Sequence, residues 1–171
     1  RKLVDPWGGL EDLMQRRITT PGEPEISFGD DPLRMLRAAR FSSQLGFTVA
    51  EPTVQAMTDL SARLDIVSVE RIQSEFTKLL LTDDPAPGIR LLVDTGIAQL
   101  VVPEVPALRL MVDEHARHKD VYEHSLTVLA QAIDLEKSRG HKPDLVLRIA
   151  ALLHDIGKPA TRRIEGGGVV T

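Results

Sequence analysis

From Asp31 onward, apolar residues recur three and four positions apart, the spacing of a helix with one buried face. Strand-like alternation is not convincing before the last few residues. The pattern predicts helices over about 31–45, 52–63, 68–81, 86–95, 120–139 and 144–156. End signals agree with it. Asp31 followed by Pro32 has the form of an N-cap with a first-turn proline, and Ser68 stands ready to cap "VERIQSEFTKLLL". Asp120 with Glu123 is a variant capping box, while Gly46 and Gly140 are stops.

Ahead of the helices, "LVDPWGGLEDL" and "RRITT" read as a turn, a short amphipathic piece and a β-branched run, the tail of an α/β domain. "PGEPEISFGDDP" reads as a connector, and Pro103 and Pro106 break the chain between two helical groups. The expected fold class is all-α with a short remnant of an upstream α/β domain. Its expected divisions are 1–22, 23–110 and 111–171.

Composition narrows the function classes. With 42% hydrophobic and 27% charged residues, the 171-residue chain can own a core. A formal charge of −4 argues against a surface that coats polyanions, so any nucleic-acid contact must be a local basic stripe. The absence of cysteine excludes disulfides and thiolate metal sites and agrees with a cytoplasmic location. No run of eighteen apolar residues occurs, so no membrane partner is expected. The start at Arg1 and the end in "EGGGVVT" read as an internal fragment of a longer polypeptide.

The basic stripe lies in "DDPLRMLRAARFSSQLGF". On a helical wheel Phe41, Leu45, Ala38, Met35, Ala39 and Leu36 fill an apolar arc, with Arg37 and Arg40 in the polar gap. Arg34 falls between Phe41 and Leu45, where a guanidinium would be partly desolvated and held against a wall. Asp31 is three residues before Arg34, so the two side chains can meet. Together they offer an acceptor for an exocyclic amino group and donors for the neighbouring ring positions, which would admit cytosine and adenine and refuse guanine and uracil. By themselves the same residues read more simply as a helix cap and a solvated ion pair.

"DDPLRMLRAARFSSQLGF" resembles the Asp-x-x-Arg nucleotide-selecting motif of the bacterial CCA-adding tRNA nucleotidyltransferases and their poly(A) polymerase relatives. "VDPWGGLEDLMQRRI" resembles the segment that closes that family's catalytic head, and "VSVERIQSEFTKLLL" its Glu-Arg neck motif, in the family's order. The resemblance implies that Asp31 and Arg34 template the base of incoming CTP or ATP, with Arg37 and Arg40 as further nucleotide contacts. It implies that Glu70, Arg71 and Glu75 brace this helix; without the likeness they read as an exposed charged face. Asp5 and Gly9 match a hinge-like link between head and neck. The implied partner is a tRNA 3′ end, and the implied cofactor is Mg2+ held by carboxylates upstream of Arg1, so no catalytic residue is expected in this segment.

All five histidines follow residue 114. "HKDVYEHSLTVL" and "ALLHDIGKP" resemble the HD phosphohydrolase superfamily. That likeness implies His124, His154 and Asp155 as ligands of a divalent metal and Lys158 as a phosphate contact. The superfamily uses a further aspartate downstream, and none follows Asp155 in this chain, so the site is expected to be incomplete. His115 and His118 are substitutes the superfamily does not use. Two other functions compete with nucleotide addition: an HD-type metal-dependent phosphohydrolase on a helical scaffold, and a non-catalytic RNA-binding module.

Overall fold

The computed structural model describes residues 4–110, 121–161, 163–165 and 168–170, and the chain forms two compact units, Arg1–Leu100 and Val101–Thr171. The sequence pattern put its division near residue 110; the compact units part earlier, ahead of Pro103 and Pro106.

The first unit opens with α1 (Gly9–Met14) and β1 (Arg17–Ile18), followed by α2 (Pro24–Asp30) and α3 (Leu33–Leu45). Then come β2 (Thr48–Val49), α4 (Glu51–Asp59), a 3-10 segment (Ser61–Ile66), α5 (Val69–Leu80) and α6 (Ala86–Asp94). Helix α3 is the centre, packed by both α5 and α6. Met35, Leu36, Leu79, Leu80, Ile89 and Leu92 are buried there, each contributing about 1.5–3 kcal/mol by leaving water. Gly88 lets α6 approach closely: a Cβ there would lie 2.4 Å from the Ala39 carbonyl oxygen and 2.5 Å from Leu79 Cδ1. Gly46 ends α3 in the left-handed conformation, at φ 65°.

Three local expectations change. The "PGEPEISFGDDP" connector contains a helix, α2, with Pro24 in its first turn and Ser27 and Phe28 buried. Asp31 closes α2 in extended conformation and is therefore a joint between two helices. The N-cap of α3 is Pro32, although the Asp31 carboxylate still accepts from the Leu33 amide at 3.3 Å. The β-branched run pairs with the chain after α3: β1 and β2 are parallel, with Arg17 opposite Thr48 and Ile18 opposite Val49. Strands of two residues are too short to alternate visibly.

Helix α7 (Ala98–Val101) spans the division, and the second unit continues with α8 (Glu104–Ala107) and a 3-10 turn (Leu108–Leu110). It goes on through α9 (Val121–Ser138), α10 (Leu145–Leu153), α11 (Lys158–Thr161) and an antiparallel pair, β3 (Arg163–Glu165) and β4 (Gly168–Val170). Asp120, His115 and His118 lie outside the described residues. Gly140, at φ 66°, ends α9 as expected. Asp144 caps α10 by accepting from the Val146 and Leu147 amides at 2.9 and 3.2 Å. Helix α10 stops at Leu153 rather than 156, and His154–Gly157 form a turn.

Between α9 and α10 lies a buried ion pair that the sequence reading did not anticipate. Arg148 Nη2 donates to Glu136 Oε2 at 2.7 Å, with side chains 1% and 2% exposed. The Asp144 amide donates to Glu136 Oε1 at 3.0 Å. Hydrogen bonding from Arg148 holds the Glu136 carboxyl below its ordinary value despite burial. A charge so deep must be matched by a partner, which fixes how the two helices pack.

Candidate nucleotide-selecting helix and HD cluster

Helix α3 buries Leu33, Met35, Leu36, Ala38, Ala39, Ser42 and Ser43. The arginines spaced between them emerge along its other side. Arg40 is the most enclosed, its side chain 15% exposed. Its Nε donates to Glu75 Oε2 at 2.8 Å, its Nη1 to Gln44 Oε1 at 2.7 Å, and its guanidinium carbon lies 4.2 Å from the centre of the Phe41 ring. Arg37 is half-exposed, its Nη1 3.7 Å from Asp31 Oδ2 and its Nε 3.9 Å from Glu75 Oε1.

Arg34 is exposed rather than set against an apolar wall, because Phe41 and Leu45, its neighbours on the wheel, are 37% and 51% exposed themselves. It is nevertheless tethered. Its Nη1 donates to the carbonyl oxygen of Ser27 at 3.1 Å and to Ser27 Oγ at 3.0 Å.

The Asp31 carboxylate engages Arg71, whose Nη2 donates to both oxygens at 3.2 and 3.3 Å, and Arg37 more loosely. Among the described residues Asp31 and Arg34 therefore make no ion pair with each other; each is held by a third group. That leaves the Arg34 fork uncommitted to a carboxylate. Beside it lies a cleft of about 400 Å³ lined by Arg34, Arg37, Ser27, Thr19, Thr20 and Phe41 among others.

From α5, Glu70 is exposed, whereas Glu75 is buried at 5% exposure, contrary to the exposed charged face its spacing suggests. Burial by itself would raise the Glu75 carboxyl; hydrogen bonds from Arg40 and Lys78 outweigh it and hold the group below its ordinary value. Asp5 accepts from the Gly9 and Leu10 amides at 2.8 and 2.9 Å, tying down the start of α1.

In the second unit, α9 and α10 pack together and bring His124, His154 and Asp155 into one cluster, with their ligand atoms within 4.8 Å of one another. The imidazole rings meet edge-on, 5.3 Å between centres. His154 Nδ1 lies 2.9 Å from the Ala151 carbonyl oxygen, a contact that is a hydrogen bond only when Nδ1 carries the proton. Neutral His154 then turns the Nε2 lone pair toward Asp155 Oδ2, 3.2 Å away. Two such acceptors face to face are the arrangement that a cation between them would satisfy. Lys158 approaches the same oxygen, its Nζ 2.9 Å away. That oxygen is buried and accepts no well-directed hydrogen bond. Two imidazoles and a carboxylate suit a divalent metal, with the rest of its coordination to be supplied by other groups.

Comparison with known proteins agrees in both units. Residues 46–108 match the family model described as "Probable RNA and SrmB- binding site of polymerase A", and residues 121–167 match the HD domain. An A-adding tRNA nucleotidyltransferase of Deinococcus radiodurans is 39% identical over 166 residues, covering 94% of this chain and 37% of the relative. A multifunctional CCA protein of Pseudomonas fluorescens is 38% identical over 172 residues, covering 96% and 40%. The chain belongs to the tRNA nucleotidyltransferase and poly(A) polymerase family.

Members of this family include a Bacillus stearothermophilus CCA-adding enzyme solved in complex with CTP, which is similar at 25% identity and TM-score 0.54 over 92% of this chain and 49% of that one. A tRNA nucleotidyltransferase solved with a primer tRNA and an incoming ATP analog shares the fold at 23% identity and TM-score 0.69, over 90% of this chain and 43% of that one. The chain thus spans less than half the length of the relatives it matches. No helix among the described residues is long and apolar enough to cross a membrane.

Two features, one in each unit, escaped the sequence pattern. Ser27 sits in what reads as a connector, with only its neighbour Phe28 to hint at burial. The buried Glu136–Arg148 pair shows in sequence only as an arginine inside the apolar run "LVLRIAALL".

Proposed function

We propose that this chain is the base-selecting and RNA-facing part of a tRNA nucleotidyltransferase, which extends tRNA 3′ ends from CTP and ATP. The observation that carries the reading is the state of α3: Arg34, Arg37 and Arg40 stand along one helix, each tied by named partners, and Arg34 and Arg37 line a cleft large enough for part of a nucleotide. Groups held still before the ligand arrives discriminate better than groups that must be ordered by it.

In this reading Arg34 donates to the ring acceptor of an incoming base, and Asp31 accepts from its amino group. Cytosine and adenine carry that amino group next to an acceptor; guanine and uracil carry a carbonyl instead. Arg71 keeps the Asp31 carboxylate in place; Oδ1 already takes the Leu33 and Arg71 donors, so Oδ2 is the oxygen left to meet the amino group. Arg37 and Arg40 contribute positive charge toward the nucleotide, and Glu75 prevents their mutual repulsion from spreading the helices. Arg71 and Glu75 thus act as braces, and Glu70, exposed on the same helix, belongs to the same motif.

Residues 1–22 would close the catalytic head, 23–110 form the neck and body, and 111–171 begin an HD domain. Mg2+, held by carboxylates of the head in parts of the relatives that this chain does not span, would supply polarisation of the α-phosphate. Relatives named for A addition and for CCA synthesis match about equally well, which fits a helix shared by both activities. A cytoplasmic enzyme is the corresponding expectation.

The His124–His154–Asp155 cluster supports a second, separate reading: a divalent-metal site of HD type, in which Lys158 would exchange Asp155 for a phosphate once the metal binds. The test of the main reading is incorporation of each of the four nucleotides by the full-length enzyme onto tRNA lacking its 3′ end. Use of CTP, ATP or both, with GTP and UTP refused, supports it; acceptance of all four overturns it.

A further inference from the structure

We infer that Ser27 is a positioning residue for base selection, setting the spacing between Asp31 and Arg34; the inference rests on the reading that these two residues select the base. Ser27 lies in α2, is 4% exposed, and belongs to the stretch whose sequence reads as a connector. Its carbonyl oxygen accepts twice. One bond comes from the Asp31 amide at 3.2 Å and the other from Arg34 Nη1 at 3.1 Å. Its hydroxyl takes a further bond from the same Arg34 nitrogen at 3.0 Å. A single residue therefore fixes the backbone of one selecting residue and the guanidinium of the other.

The arrangement matters because the pair is not held by mutual contact. Asp31 is anchored through Arg71 and Arg34 through Ser27, so their separation depends on α2 staying registered against α3. Several groups maintain that register. Phe28 is buried at 1% exposure, and Arg63 Nη2 donates to the Gly29 carbonyl at 3.1 Å, clamping the far side of α2. Because the selecting groups must reach an amino group and a ring nitrogen at once, a shift of about 1 Å in either is enough to weaken two-point recognition. Arg34 is otherwise exposed and rich in rotamers, so the hydroxyl removes freedom that the ligand would have to freeze out.

Ser27→Ala deletes the hydroxyl but keeps the carbonyl acceptor, and Ser27→Thr keeps both. The measurement is kcat and KM for CTP, ATP, GTP and UTP with the full-length enzyme carrying Ser27→Ala, Ser27→Thr, Arg34→Ala or Ser27→Ala with Arg34→Ala, alongside thermal unfolding of each. Ser27→Ala is expected to lower discrimination against GTP and UTP by about three- to tenfold, with unfolding little changed. Ser27→Thr should recover discrimination, and Ser27→Ala should have no added effect once Arg34 is alanine. If Arg34→Ala leaves discrimination intact, the base-selection reading itself fails. If Arg34→Ala abolishes it while Ser27→Ala is silent, or adds its full effect on top of Arg34→Ala, the positioning role of Ser27 is overturned and base selection stands. Should Ser27→Ala lower stability, the comparison with Ser27→Thr decides: a stable threonine variant that still loses discrimination also overturns the role.

Discussion

Arg40 and Glu75, thirty-five residues apart in the chain, meet at 2.8 Å with side chains 15% and 6% exposed, joining α3 to α5 through a charged hydrogen bond. A bond of this kind holds two helices in one relative position and fixes the arginine at the same time. Glu75 also takes Lys78 at 3.1 Å and has Arg37 at 3.9 Å, so one buried carboxylate balances three cations.

Glu75→Gln should therefore destabilise the chain by about 1–3 kcal/mol, because it leaves those cations crowded and under-compensated. The pH dependence follows from the lowered carboxyl. A group whose folded value lies below its unfolded value adds stability above the unfolded value, 4.5 for glutamate here, and loses it as pH falls through the folded value. Glu136 is shifted in the same direction and adds to the same acid loss. Urea unfolding at neutral pH and at several points below 4.5 should show stability falling on acidification, with a shallower fall in Glu75→Gln. An equally steep fall in the variant would contradict the assignment.

The second unit makes a different prediction. Removing one side of the buried pair, as in Arg148→Ala, should cost about 3–5 kcal/mol by stranding the Glu136 carboxylate between α9 and α10. Replacing both, Glu136→Leu with Arg148→Met, should recover most of that loss, since the pair's own net contribution is small. Chemical unfolding of the two variants checks this. Equal losses in the single and double variants would mean that the pair itself stabilises the fold.

The uneven legibility of the sequence has physical causes. Helices α3, α5, α6, α9 and α10 follow from apolar periodicity because each buries one continuous face, although Pro32 and not Asp31 caps α3 and Ser68 stands at the N-cap of α5 without a side-chain bond. Helix α2 did not, since seven residues hold too little period to outweigh the Pro and Gly around them. The arginines were legible as a stripe, but their partners were not: Ser27, Glu75 and Arg71 reach them from other elements, and such contacts leave no mark on local spacing. Asp31 and Arg34 are three apart and were expected to pair. Arg71 took the place beside Asp31 and Ser27 the place beside Arg34 instead. The HD cluster was readable through the likeness of "HKDVYEHSLTVL" and "ALLHDIGKP" to the HD superfamily and not through spacing, since His124 lies far along the chain from the His154–Asp155 doublet.

Lys158 should compete with metal at that cluster. Its ammonium is paired with Asp155 Oδ2 at 2.9 Å, the oxygen that also lies nearest the two imidazoles. In titrations of the chain with Mn2+, the wild type is expected to bind weakly. Lys158→Met should tighten binding by about tenfold, and Asp155→Asn should remove it. Unchanged affinity in Lys158→Met would show that the lysine stands clear of the metal position.

The central claim is that Asp31 and Arg34 select the base, and its most direct measurement is incorporation of all four nucleotides by the full-length enzyme carrying Arg34→Ala or Arg34→Lys. The account predicts that Arg34→Ala loses about 1–3 kcal/mol of discrimination against GTP and UTP. Lysine should not restore it, because an ammonium lacks the planar fork that addresses two positions on a base. Discrimination in Arg34→Ala equal to that of the unaltered enzyme would contradict the account and return Asp31 and Arg34 to the ordinary work of joining two helices.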